Sequence, residues 1–209
     1  MILTKTPYRV SFFGGGTDYP EWFNENEGSI LSTSIAHYCY IHGRILPPFF
    51  AYKYRIVWSK NEVVNNNDEI VHPTVRSVFK YLKLSKGLEI HYQGDLQKNS
   101  GLGTSSSFCV GLINAIKNLY NKNTSSKDLA NMAIHIEQNL MKENSGSQDQ
   151  IWASYGGFNS IEFNKDNEFN VKCNPYGFYD SWLCMEIGGK KILNINDCGI
   201  DSYSQSKYI

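Results

Sequence analysis

A glycine and hydroxyl run, Gly101-Leu102-Gly103-Thr104-Ser105-Ser106-Ser107, opens straight into the apolar, small-residue stretch Phe108–Tyr120. A helix apolar on nearly every side must be enclosed, so other elements have to be layered around it. The candidates are at hand. Tyr8–Phe13, Ser29–Arg44, Tyr54–Trp58, Leu88–Tyr92 and Phe158–Phe163 read as strands from their β-branched and aromatic content or their alternation. Thr74–Leu84 repeats apolar residues at helical spacing, and Ser125 or Ser126 can cap a helix whose face is Leu129, Met132, Ala133, Ile136 and Leu140. Glu143–Ser147 breaks that helix and Gln148–Tyr155 resumes the pattern, while Asn61–Glu69, rich in Asn, reads as a solvated loop. Strands and helices interleave without a repeat, which predicts a mixed α and β sandwich of sheet and helices. Past Cys173 the texture changes, with short strand candidates only at Leu183–Ile187 and Lys191–Ile195. The expected division is therefore one domain over residues 1–172 and a divergent or incomplete tail over 173–209.

Composition narrows the function classes. With 20 Lys+Arg against 20 Asp+Glu, the 209 residues carry no net charge, which argues against a nucleic-acid partner. No run reaches the roughly 18 apolar residues of a membrane span, and the opening MILTKTPYRV is not patterned as a signal peptide. Cys39, Cys109, Cys173, Cys184 and Cys198 form no CxxC pair and read as reduced thiols, so a cytoplasmic chain is expected. His37, His42, His72, His91 and His135 show no clustered metal-ligand spacing and read as structural or surface residues.

Three places can carry chemistry. The Gly101–Ser107 run can cradle a phosphate at a helix N-terminus, and its hydroxyls can ligate a hard cation. It closes with no Gly-Lys-Ser/Thr and is not GxGxxG, and a flexible loop with a Ser cap explains it equally well. Gly14-Gly15-Gly16-Thr17-Asp18 follows a strand that carries Arg9; it suits either a backbone pressed against a ligand, with Asp18 accepting from hydroxyls, or a plain β-turn. Glu137 and Asp149 can act as a cation ligand and a proton acceptor, or Asp149 can simply be a first-turn acid.

In their order, TPYRVSFFGGGTDYP, QKNSGLGTSSSF, IEQ and SGSQDQIWASYGG over residues 6–160 resemble the GHMP kinases, the family of galactokinase, homoserine kinase and mevalonate kinase. Within it the chain looks most like the D-glycero-D-manno-heptose 7-phosphate kinases, on the glycine-rich first motif; galactokinases carry Glu-His where Gly15 and Gly16 stand. The resemblance implies an α+β fold, the ribosomal protein S5 domain 2-like N-terminal domain of these kinases. It implies transfer of the ATP γ-phosphoryl group to the anomeric hydroxyl of heptose 7-phosphate, with Mg²⁺. Gly101, Leu102, Gly103, Thr104, Ser105 and Ser106 match the ATP loop, and Ser105 with Glu137 the Mg²⁺ ligands. Asp149 matches the catalytic aspartate, Arg9 its basic partner, and Gly15, Gly16, Thr17 and Asp18 the sugar site. A galactose- or fucose-type kinase and an inactive ATP- and sugar-binding fragment are the alternatives, and a homodimer is allowed for. Two features depart from the family: no Pro stands at or near Gln97, and residues 175–209 do not resemble its C-terminal domain, so most of that domain is expected to be absent.

Overall fold

In the structure, a computed structural model, residues 1–98, 100–165, 168–173, 183–186 and 192–194 are described. Strands β1 (Ile2–Phe13) and β2 (Gly28–Ile45) pair antiparallel along most of their length. β1 starts six residues before the strand read from sequence; Ile2, Thr4 and Thr6 point into the core in the alternation that a half-buried strand requires. The partners slip between Pro7 and Tyr8, where Ala36 and His37 of β2 have no partner. The bulge lies in β2 and increases the local twist of the pair just before Arg9 of β1.

Among the described residues the sheet runs β4-β3-β5-β2-β1-β8-β9, from β3 (Tyr54–Val57), β4 (Asn61–Val64), β5 (Leu88–Gly94), β8 (Leu183–Glu186) and β9 (Ile192–Asn194). β6 (Phe158–Phe163) and β7 (Phe169–Cys173) branch from it. β2 is the hub: Gly28–Thr33 pairs with β6 and Cys39–Ile45 with β5. The two short strands past Cys173 fall within the candidates Leu183–Ile187 and Lys191–Ile195; apart from Cys173 itself, the rest of the 173–209 tail lies outside the described residues.

Helices cover one face. α1 (Pro20–Asn26) starts on proline, α2 (Pro73–Leu82) buries Val75, Val78 and Phe79, and α3 is Thr104–Leu119. α3 lies across β1 and β2 with Val110, Leu112, Ile113 and Ile116 fully enclosed. Each such side chain contributes roughly 1.5–3 kcal/mol on burial. α4 (Ser126–Ile134) is capped by Ser125, whose Oγ accepts from the Asp128 amide at 3.1 Å. It passes without a break into a π-helical segment, His135–Leu140, marked by the Met141 amide donating to the Ile136 carbonyl. α5 (Gln148–Tyr155) comes next, and a second core under β6 gathers Phe23, Ile30, Ile151, Trp152 and Phe163.

The Asn61–Glu69 loop needs correcting. Asn61–Val64 is strand β4, and Asn67–Glu69 is a 3₁₀ turn. Glu62 turns inward from β4 and accepts from Trp58 Nε1 at 2.8 Å and from the Val71 and His72 amides at 2.6 and 3.2 Å. A buried carboxylate with three donors is satisfied, so a polar-looking edge strand closes the sheet. Among the described residues no helix is long and apolar enough to cross a membrane.

Candidate active site

The residues picked out in the sequence converge on the N-terminal end of α3. Arg9, on β1 just past the bulge in its partner β2, holds the glycine loop twice: its amide donates to Leu102 O at 3.1 Å and its Nη1 to Gly101 O at 2.8 Å. Its other two nitrogens, Nε and Nη2, both reach Asp149 Oδ1 at 2.6 Å. Residues 140 positions apart in sequence thus meet in one charge-assisted pair. No hydrogen bond from the described residues reaches Asp149 Oδ2, and the carboxyl side chain is 26% exposed, so this oxygen is available to a ligand. Burial pushes the Asp149 carboxyl above its ordinary range, Arg9 pulls it back down and nearby Asp18 pushes it up again.

Gly103 forms the inner wall. Its φ of +74° is left-handed, and a methyl there would sit 3.4 Å from the Asp149 carboxyl and 3.5 Å from Arg9 Cγ. Glycine therefore lets the loop turn into α3 while lying against the ion pair. Backbone amides at the start of a 16-residue helix then face the same space, as an anion site requires.

Glu137 sits behind the loop on the π-helical segment, 1% exposed. A π-turn shifts the helix register by a residue, a device that recurs at functional sites. Glu137 Oε2 accepts from Ser106 Oγ at 2.8 Å and from Gln150 Nε2, while Oε1 is buried without a partner among the described residues. Burial pushes its carboxyl up to about 7, against the pull of these two hydrogen bonds. An acid oxygen with no donor and a helix-start hydroxyl make a hard-oxygen set of the kind that holds Mg²⁺ together with phosphate oxygens. The hydroxyl on Glu137 belongs to Ser106, whereas its neighbour Ser105 is exposed. Successive helical residues differ by about 100° in direction, so Ser106 meets Glu137 directly while Ser105 looks outward. Cys109, on α3 beside Glu137, is wholly buried, and that burial holds its thiol protonated and inert.

Asp18 is also buried. Its Oδ1 accepts from the Gly16 amide and its Oδ2 from the Gln148 amide, both at 3.1 Å, while its carbonyl takes the Ser147 amide at 3.0 Å. It therefore caps α5 from the glycine loop, bringing that loop against Asp149. Thr17, expected among the sugar contacts, spends its hydroxyl inside the loop, on Gly14 O at 2.8 Å and the Ser29 amide at 3.1 Å. A cleft of about 420 Å³ opens beside this loop, lined by Arg9, Phe12, Gly14, Gly15, Leu102 and Gln148. Gln150 is the functional-looking residue that motif reading passed over. Its signal is a lone amide inside the buried run Gln150–Ser154.

Gly146 supports Asp18 sterically, because a methyl there would lie 1.8 Å from Asp18 Oδ2. Gly146→Ala is expected to dislodge the cap and cost about 2 kcal/mol, or about 4–8 °C of unfolding midpoint. A melting curve that does not move would show that Asp18 does not dock on α5.

Residues 69–157 match the GHMP kinases N terminal domain, a span that takes in Gly101–Ser106, Glu137 and Asp149 but not Arg9 or Asp18. A D-glycero-alpha-D-manno-heptose 7-phosphate kinase of Campylobacter jejuni is 29% identical over 92% of this chain and 58% of its own length. A galactokinase of Clostridium perfringens is 26% identical over 62% of this chain and 31% of its own length. The crystal structure of a D-glycero-D-manno-heptose 1-phosphate kinase from Bacteroides thetaiotaomicron superimposes with a TM-score of 0.75 at 22% identity, over 82% of this chain and 59% of that one. The chain thus spans less than two thirds of the relatives it matches. In its motifs over residues 69–157 the chain is similar to the GHMP kinases N terminal domain, and its fold is similar to that of the solved heptose phosphate kinase.

Proposed function

We propose that this domain belongs to a sugar kinase that phosphorylates the anomeric hydroxyl of a heptose 7-phosphate with ATP, a reaction of the cytoplasm. The observation that carries the reading is the Arg9–Asp149 pair wedged against the glycine loop at the head of α3. Phosphates on the loop and α3 amides would lie next to a guanidinium, and a hydroxyl beside Asp149 Oδ2 would have a base at hand. The acceptor O–H gives its proton to Asp149 Oδ2 as its oxygen bonds to the γ-phosphorus; the bond from that phosphorus to the β-bridging oxygen breaks and ADP leaves. Charge gathering on the phosphoryl oxygens faces Arg9 and the start of α3. Glu137 with the hydroxyls that open α3 would hold Mg²⁺, which when bound supplies charge neutralisation on the phosphates. The heptose as acceptor rests on the Campylobacter relative, and the galactokinase match makes galactose the natural control.

The test is ADP release from the purified chain with Mg-ATP and D-glycero-D-manno-heptose 7-phosphate, against galactose. Heptose-dependent release supports the proposal, and galactose-dependent release moves the acceptor to the hexose class. A folded chain that binds Mg-ATP without releasing ADP is a binding module, and the catalytic reading is then withdrawn.

A further inference from the structure

Gln150 has no ligand-facing role in the proposed reaction, yet it is wholly buried one residue beyond Asp149. Its Nε2 and the Ser106 hydroxyl both donate to Oε2 of Glu137. Glu137 Oε1 lies buried with no hydrogen-bond partner among the described residues. Two donors on one oxygen and none on the other is a lopsided arrangement. A buried carboxylate oxygen without a donor is costly, and it is tolerable where a cation completes it.

We propose that Gln150 is a positioning residue that pins Glu137 Oε2, so that Oε1 is turned to a nucleotide-borne divalent cation. The role rests on the kinase reading for the identity of that cation. A neutral amide suits the task better than Lys or Arg, because it fixes the carboxylate without neutralising the charge that attracts the metal. Gln150 and Asp149 are consecutive on α5, whose Ile151 and Trp152 are locked into the second core. One rigid helical turn thereby sets both the proton acceptor and the orientation of the metal-binding acid. Partners of this outer kind typically change metal affinity by 10–100-fold when removed.

Gln150→Met keeps length and volume and deletes the donor. Mn²⁺ is titrated into the ADP-bound chain and followed by electron paramagnetic resonance, for the unmutated protein, Gln150→Met and Glu137→Gln. ADP affinity in EDTA and the unfolding midpoint are measured alongside. The expected result is roughly 10-fold or greater weakening of Mn²⁺ binding in Gln150→Met, with ADP affinity in EDTA unchanged. Normal Mn²⁺ affinity in Gln150→Met, beside a weakened Glu137→Gln, overturns the role of Gln150 and leaves the metal site standing. Mn²⁺ and metal-free ADP affinities falling together overturn it as well, since packing alone would then explain the loss. Unchanged Mn²⁺ binding in Glu137→Gln removes the metal site itself and the Gln150 role with it. Should Gln150→Met not fold, the unmutated chain decides: the Gln150 side-chain amide resonances shift when Mg²⁺ joins ADP, or stay in place and refute the proposal.

Discussion

Replacing Asp149 with Asn is expected to slow phosphoryl transfer by about 10²-fold or more while leaving the chain folded. The amide keeps an oxygen where Oδ1 accepts from Arg9, so the guanidinium retains a partner there as well as Gly101 O. The substitution removes the negative charge and the basic oxygen, which is Oδ2 in the proposed geometry. Mg-ATP binding should change little, because the phosphate-facing amides belong to α3 and not to α5. Turnover and nucleotide affinity measured on the same preparation separate the two effects. Unchanged turnover in a folded Asp149→Asn protein would remove Asp149 from the chemistry and leave it a structural anchor for Arg9.

A second large effect should appear in the pH dependence of stability. Glu137 ionises near 4.5 when unfolded and near 7 in the folded chain. Its folded value is the higher one, so the native state holds a proton that the unfolded state has released between these values. Stability from this group is therefore complete below about pH 4.5, falls as pH rises through 7, and is flat beyond. A displacement of that size corresponds to about 3 kcal/mol. Glu137→Gln offers Ser106 and Gln150 the same kind of acceptor but cannot ionise. Denaturant midpoints without metal should therefore show the Gln variant gaining on the unmutated chain from pH 5 to pH 8. Parallel curves would show that Glu137 titrates as a solvated acid. A divalent cation competes with that proton, so Mg-nucleotide affinity should rise with pH until about 7 and then level.

Much of the fold was legible from residue order alone, for reasons that differ by element. α3 and its loop stand out because an apolar run behind glycines has few alternatives, and β5 and β6 because strict alternation has a period no helix shares. α1 escaped notice because seven residues give too few turns to display a period. β4 escaped because Asn65, Asn66 and Asn67, which follow it, give the whole stretch a loop-like composition, while the fate of Glu62 depends on the Val71 and His72 amides on another segment. Arg9 and Asp149 could be named as partners from the motif order, but their shared oxygen could not. The hydroxyl that meets Glu137 depends on the phase of α3, which a row of Thr104-Ser105-Ser106-Ser107 leaves undetermined. Gln150 was hidden for a related reason: its partner lies 13 residues away across a π-turn.

The double pairing of β2 also bears on how a ribosome must deliver this chain. Gly28–Thr33 has its outer partner in Phe158–Phe163, so that half of the strand waits for roughly 130 further residues to be synthesised. At the usual ~5–20 residues per second, the wait is about 6–26 s. During that interval Ile30, enclosed in the finished molecule, faces solvent on an open strand edge. The opposite half closes much sooner, on Leu88–Gly94. Nascent chains stalled before residue 158 should therefore be good clients for a chaperone that holds exposed strand edges, and chains released after residue 163 poor ones.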